Sequence, residues 1–354
     1  SANDPPAFTF AQGFTPLNAT TISPAIVQWR IQDPDQKTPI VHQFSVGPEW
    51  QFAPDMVAAV EYVGNRVRNG RRLRNLNQGI IQTPGAGPVV FPYAQHGFGS
   101  AFLEQIVTSG RADYDALQTR VARRLRDGLA FTVAYTWSKA LGNFIDHLTA
   151  GGGASGNFPN NAYAMEEDYG PLPFDVPHRL VTSFIYELPW GASRRFQVPG
   201  ALGAIVNDWS VNGILSINSG RPFSVGATDR TGAGPGRNVR ADCVGDPVPD
   251  GFEQTLGRWF DPSAFSQPAA FTHGNCGYNT LRGPAFKAMN LSVFRSVPMG
   301  ETRRLELRLE TFNLFNWTNF AFPAANVANQ GTIGTITSSL GDPREVQLAV
   351  KFYF

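Results

Sequence analysis

The sequence predicts an all-β fold, an antiparallel meander of about nine or ten long strands. Three observations carry this prediction. Apolar residues recur at every second position, the period of a strand with two unlike faces, rather than at the helical period. The alternating runs mostly last about 10–14 residues, longer than an ordinary globular strand. The connections between them alternate between short and long.

The elements follow in chain order. Weak alternation covers residues 40–51 and 55–66, separated by a short turn at "QFAP". Pro48 cannot donate to a strand ladder, so a bulge or strand end is expected there. A third run covers 112–125 and turns at "RDG", 126–128. In the next, Leu129, Phe131, Val133, Tyr135 and Trp137 oppose Ala130, Thr132, Ala134, Thr136 and Ser138. Residues 178–189 form another run, followed by an intermediate connection at 190–205. Trp209, Val211, Gly213, Leu215 and Ile217 then oppose Ser210, Asn212, Ile214, Ser216 and Asn218. A run at 286–297 turns at "VPMGE" into one where Leu305, Leu307 and Leu309 oppose Arg304, Glu306, Arg308 and Glu310. The chain ends on "EVQLAVKFYF", with Val346, Leu348, Val350, Phe352 and Phe354 against Glu345, Gln347, Ala349, Lys351 and Tyr353.

The long connections, about 67–111, 141–177, 225–285 and 317–342, all fall at one end of such a meander. A soluble sandwich has no reason for that asymmetry. A transmembrane barrel does, because its turns are short on the periplasmic side and its loops long outside. Its apolar face meets lipid and its polar face a lumen. Tyr135, Trp137 and Trp209 suit the aromatic girdles at the two interfaces.

Other classes are poorly served. Charged residues are 16% of the chain and the net charge is +1, which does not indicate a nucleic-acid partner. No apolar run approaches the length of a transmembrane helix. The opening "SANDPPAFTF" lacks a basic start and an apolar stretch, so it reads as a mature chain or a piece of a longer one. His42, His96, His147, His178 and His273 are scattered without metalloprotease spacing. "GAGPG" at 232–236 lacks dinucleotide spacing and reads as a flexible loop. No catalytic or cofactor site is expected. Glu166, Glu167 and Asp168 could lend carboxylates to a calcium ion, but a solvated acidic turn is the first reading. Cys243 and Cys276 share one Gly/Pro/Asp-rich stretch. They are either a loop disulfide, implying an oxidising compartment, or two unrelated thiols.

Seven stretches, in order, resemble the C-terminal part of TonB-dependent receptors of the outer membrane, and most closely their Oar-like group. They are "YDALQTRVARRLRDGLAFTVAYTWSKAL", "FDVPHRLVTSFIYELPWG", "DWSVNGILSINSGRPFSV", "WFDPSAFSQP", "NTLRGPAFKAMNLSVFRSVPM", "RLELRLETFNLFNWTNF" and "PREVQLAVKFYF". The resemblance implies that residues 1–354 are a partial barrel, the C-terminal portion of one of about 22 strands. A carboxypeptidase-regulatory-like domain and a plug would lie upstream, with a TonB-type energy-coupling protein as partner. It implies location in the outer membrane of a Gram-negative-type bacterium, contact with its lipid, and uptake of a scarce solute of unknown identity. Phe352, Tyr353 and Phe354 would be the signal read by the barrel-assembly machinery. Glu306, Arg308, Glu310, Gln347 and Lys351 would line the lumen against the plug or ligand, or else pair charges within the wall. Two other readings stay open: a structural or surface-interaction barrel without transport, and a secreted carbohydrate-binding β-sandwich.

Overall fold

The computed structural model describes residues 29–143, 158–191, 194–235, 237–300 and 302–354. The amino-terminal segment and His147 lie outside these. Among the described residues nine strands form one antiparallel sheet in sequence order. They are β1 (Ile40–Val46), β2 (Met56–Asn75), β3 (Leu103–Arg126), β4 (Leu129–Gly142) and β5 (His178–Glu187). After them come β6 (Trp209–Asn218), β7 (Phe286–Pro298), β8 (Arg304–Phe312) and β9 (Glu345–Tyr353). Each pairs with its neighbours in sequence, with no Greek-key crossing, which removes the sandwich reading. The sheet is open, with β1 and β9 at its edges.

Local chemistry explains the turns. β1 stops at Val46, and pairing with β2 resumes at Glu49–Ala53. Between them Val60 donates its amide to the Pro48 carbonyl at 3.1 Å, so the chain breaks where proline removes a donor. At the β3–β4 hairpin, Asp127 and Gly128 have φ of 52° and 80°. Two left-handed residues match the twist of a tight hairpin. A Cβ on Gly128 would come 2.7 Å from the Glu187 carbonyl oxygen, so only glycine fits.

The register carries each face across the sheet. Phe131 lies opposite Phe184, then Gly213, Leu291, Thr311 and Val346. The opposite face runs from Thr132 through Ser183 to Ile214 and Asn290. The first is the open, outer face: Leu309 is 41% exposed and Val350 68%. The second is sheltered: Glu306, Ser292, Ser210, Ala116 and Ala140 are all buried. Ile214 is an exposed apolar exception on this inner face.

Two features depart from the sequence reading. β2 and β3 overshoot the rest of the sheet, so the first long connection is 76–102 rather than about 67–111. The arginine-rich run 71–75 looked like loop, yet it continues as strand beyond a bulge at Asn69–Gly70. Trp29–Gln32 adds a short parallel strand against this extension. The intermediate connection also holds a short helix, Gly200–Val206. No described helix is long and apolar enough to cross a membrane.

The core sits among the long connections, not in the sheet. Phe223, Val225, Phe260, Phe265, Leu281, Val327 and Ile333 pack together there. The Phe260 and Phe265 rings meet edge to face at 5.5 Å, an arrangement favoured by the ring quadrupole. Cys243 and Cys276 are bonded, with Cα atoms 5.0 Å apart. The "GAGPG" stretch is packed rather than flexible: Ala233 is fully buried, and its carbonyl accepts from the Gly79 amide at 2.9 Å. Gly236 lies outside the described residues.

Candidate functional site: the inner face and the loop end

Strand parity puts Arg304, Glu306, Arg308 and Glu310 of β8 on the inner face. Across the ladder, Gln347 faces Glu310 and Lys351 faces Glu306. Arg308 is claimed within its own strand. Its guanidinium lies 2.8 Å from Glu306 and 3.1 Å from Glu310, and it sits over the Phe294 ring at 5.3 Å. Lys351 has no carboxylate within ion-pair distance among the described residues. The geometry therefore joins Arg308 to its two glutamates and leaves Lys351 and Gln347 facing the interior.

Nearer the loops, the inner face holds a cavity of about 400 Å³. Tyr114, Gln118, Thr136 and Asn218 come from the strands, and Phe174, Asp175 and Arg221 from the loops. Arg179 also lines it, at the start of β5. The loop is pinned there by the sheet: Ala140 donates its amide to Asp175 at 2.6 Å, and Ser138 its hydroxyl to the Val176 carbonyl at 2.9 Å. Arg179 and Arg221 are exposed to the cavity and pair with no described carboxylate. The Asn218 Oδ1 is buried without a hydrogen-bond partner. The sequence reading did not single out these three. Parity could have found Arg179, which falls in the polar set of its strand. Arg221 could not be placed without the loop fold.

Above the cavity the loops are locked by charge. Asp168 accepts from Arg72 at 2.9 Å and from Arg240 at 2.5 Å, and all three are buried. Arg72 also donates to the Met165 carbonyl, and Arg240 to that of Cys276. The acidic turn is thus not solvated throughout. Glu166 and Glu167 are exposed, but Asp168 is a buried ion-pair centre and not free for calcium. Burial also governs nearby titrations. It pushes the His273 imidazole below its ordinary value, helped by the neighbouring Arg237 charge. Burial opposes the Asp229 charge, but hydrogen bonds from Arg237 and Thr231 hold its carboxyl below the usual range. The Ser263 hydroxyl and then Arg258 do the same for Asp261.

At the other end of the molecule Phe354 is 94% exposed and stacks on Phe352 with centroids 6.1 Å apart. Arg304 covers the Tyr353 ring at 4.1 Å. A sheet with exposed leucines and phenylalanines outside and polar residues inside needs lipid on one side. The family model described as "Outer membrane beta barrel domain" matches residues 1–347.

The chain belongs to the outer membrane beta barrel domain family.

This outer-membrane barrel chain lies in the bacterial outer membrane, and its outer face meets lipid. No curated protein matches it. Among solved structures it is similar to the outer membrane transporter YddB from Escherichia coli, at 8% identity and a TM-score of 0.46, over 93% of this chain and 35% of that one. It is similar to the FrpB iron transporter from Neisseria meningitidis (14%, TM-score 0.46, 92% and 33%). A third is the ferric enterobactin receptor PfeA from Pseudomonas aeruginosa (11%, TM-score 0.44, 89% and 31%). The barrel chain spans about a third of the length of these three structures. Similarity this distant carries no ligand or mechanism to it.

Proposed function

We propose that this chain is the C-terminal wall of a TonB-dependent receptor that takes up a scarce solute bearing negative charge. The observation that carries the reading is the inner-face cavity beneath the loops, with Arg179 and Arg221 unpaired at its edge. Two guanidiniums without carboxylates favour carboxylate or phosphate oxygens. The seven stretches that resemble TonB-dependent receptors support the transport part. In this reading the long connections face outside and close over the solute. Lys351 and Gln347 face a plug held within the barrel, while the Glu306–Arg308–Glu310 group keeps its charges within the wall. Phe352, Tyr353 and Phe354 serve assembly. The chain carries no catalysis.

Two measurements test it. Outer-membrane vesicles holding the parent protein or its Arg179→Ala/Arg221→Ala variant are titrated with citrate and with inorganic phosphate. Tighter binding of either probe by the parent supports an anion site, and equal binding refutes it. The upstream coding sequence tests transport separately. A plug and an energy-coupling segment support it, and their absence leaves a structural barrel.

A further inference from the structure

The outer face changes character near the loops, at β2, β3 and β4. Tyr62, Leu117 and Trp137 stand side by side in register. One pleat higher come Gly64, Asp115 and Lys139, and then Arg66, Asp113 and Leu141. Between the ring tier and the loops lies a groove of about 400 Å³, floored by Tyr62, Leu117 and Trp137 and rimmed by Asp115, Lys139, Pro177 and Arg282. Its floor is apolar and its upper rim is charged.

The charges on that rim do not balance. Arg66 lies 2.6 Å from Asp115, and Arg68 2.8 Å from Asp113. The Tyr62 hydroxyl also donates to Asp115. Arg282 is held by Asp175, with its side chain 38% exposed. Those pairs use every described carboxylate nearby. Lys139 stands directly across from Asp115, yet no described carboxylate comes within ion-pair distance of it. One cation is left over at the top of an apolar groove.

The height of the groove says what surrounds it. Trp137 is eight residues along β4 from the Leu129 turn. At a rise of about 3.3 Å per residue and a tilt of about 40°, that places it about 20 Å up the wall. The apolar band of such a barrel is about 25 Å tall. Trp137 thus stands just below the level where acyl chains give way to headgroups, and Lys139, one pleat above, reaches it. The Tyr135 hydroxyl is already tied to His178 Nδ1 at 2.8 Å, which stiffens this edge.

We infer that the groove is a binding site for a phosphate-bearing lipid of the outer leaflet. One acyl chain lies over Tyr62, Leu117 and Trp137, and a phosphate sits against Lys139 and the open edge of Arg282. A neutral lipid would fill the floor and leave Lys139 unanswered. A soluble anion would answer Lys139 and leave the floor empty. The site opens on the opposite face from the inner cavity, and its test does not require solute uptake.

The test uses the full-length protein in detergent and native mass spectrometry. The probes are bisphosphorylated lipid A and the same lipid with both phosphates removed. The wild type should retain the phosphorylated probe about fivefold better, the scale of one basic side chain at a lipid surface. Lys139→Glu should abolish that preference. Lys287→Glu should keep it, since Lys287 is exposed on the same face near the loop end of β7 but does not line this groove. Equal retention of both probes by the wild type overturns the inference, as does an equal loss in the two variants. If Lys139→Glu does not assemble, Lys139→Gln is read by the same ratio, and an undiminished preference there also overturns it.

Discussion

Leu348 on β9 is 80% exposed, while Phe260 among the loops is fully buried. The two residues stand for two regions that obey different solvents. In the sheet, backbone pairing between neighbours holds the wall together and the outer apolar face is spent on lipid, so there is almost no side-chain core. At the loop end, residues scattered across four connections build an aqueous fold, with packed phenylalanines, a disulfide and a buried ion-pair centre. The comparison teaches that hydrophobicity alone does not locate the core here. The most apolar stripe of the chain is its surface, and an Arg–Asp–Arg cluster is among its most buried parts.

If the two regions are separately stabilised, changes in one should spare the other. The largest effect is expected at Asp168. Asp168→Asn leaves Arg72 and Arg240 buried without their counter-charge, a loss of about 3–5 kcal/mol. Hydrogen exchange should rise across the loops, while heat-modifiable mobility still reports an intact sheet. Loss of both together would show one cooperative unit. Next comes Cys243→Ser. Its bridge closes a separation of 33 residues, worth about 3–4 kcal/mol by loop-closure entropy. Limited proteolysis should cut first between 243 and 276, and an unchanged digestion pattern would argue that the bridge is idle.

The wall is tested by Leu307→Arg, which faces lipid and should cost about 2–4 kcal/mol if it lies near mid-bilayer. Thr132→Arg, on the inner face, should cost far less. Similar folding free energies for the two in lipid would contradict the assignment of faces. The smallest effect is that of pH on the loop end. His273 has its folded pKa lowered below the ordinary 6.5. The unfolded loops then bind the extra proton first, so their stability falls as pH drops below about 6.5. Asp229 and Asp261 are lowered from 3.8, and their contribution, complete above that value, is lost only in stronger acid. Loop protection measured from pH 8 to 5 should decline while the sheet holds. A His273→Gln variant with the same decline would assign it elsewhere.

The period-two pattern was enough to place all nine strands, their order and both faces, because strand periodicity is local and lipid rewards a strict alternation. Pro48 and Asp127–Gly128 were equally legible, since each acts through its own backbone. The loop end was not. Asp168 meets Arg72 across 96 residues and Arg240 across 72, and nothing in "MEEDYG" says that one of its three acids will be buried. The run from Arg71 to Asn75 reads as a polar loop, yet it is strand: Arg72 is paired with the distant Asp168, and Arg74 donates to Gln105 across the ladder. Arg179, Arg221 and Lys139 became conspicuous only when neighbouring carboxylates were seen to be taken by others. Local pattern sets which way a side chain points. Which charges remain unanswered depends on contacts between segments far apart in the chain, and those exist only once the loops have folded over the sheet.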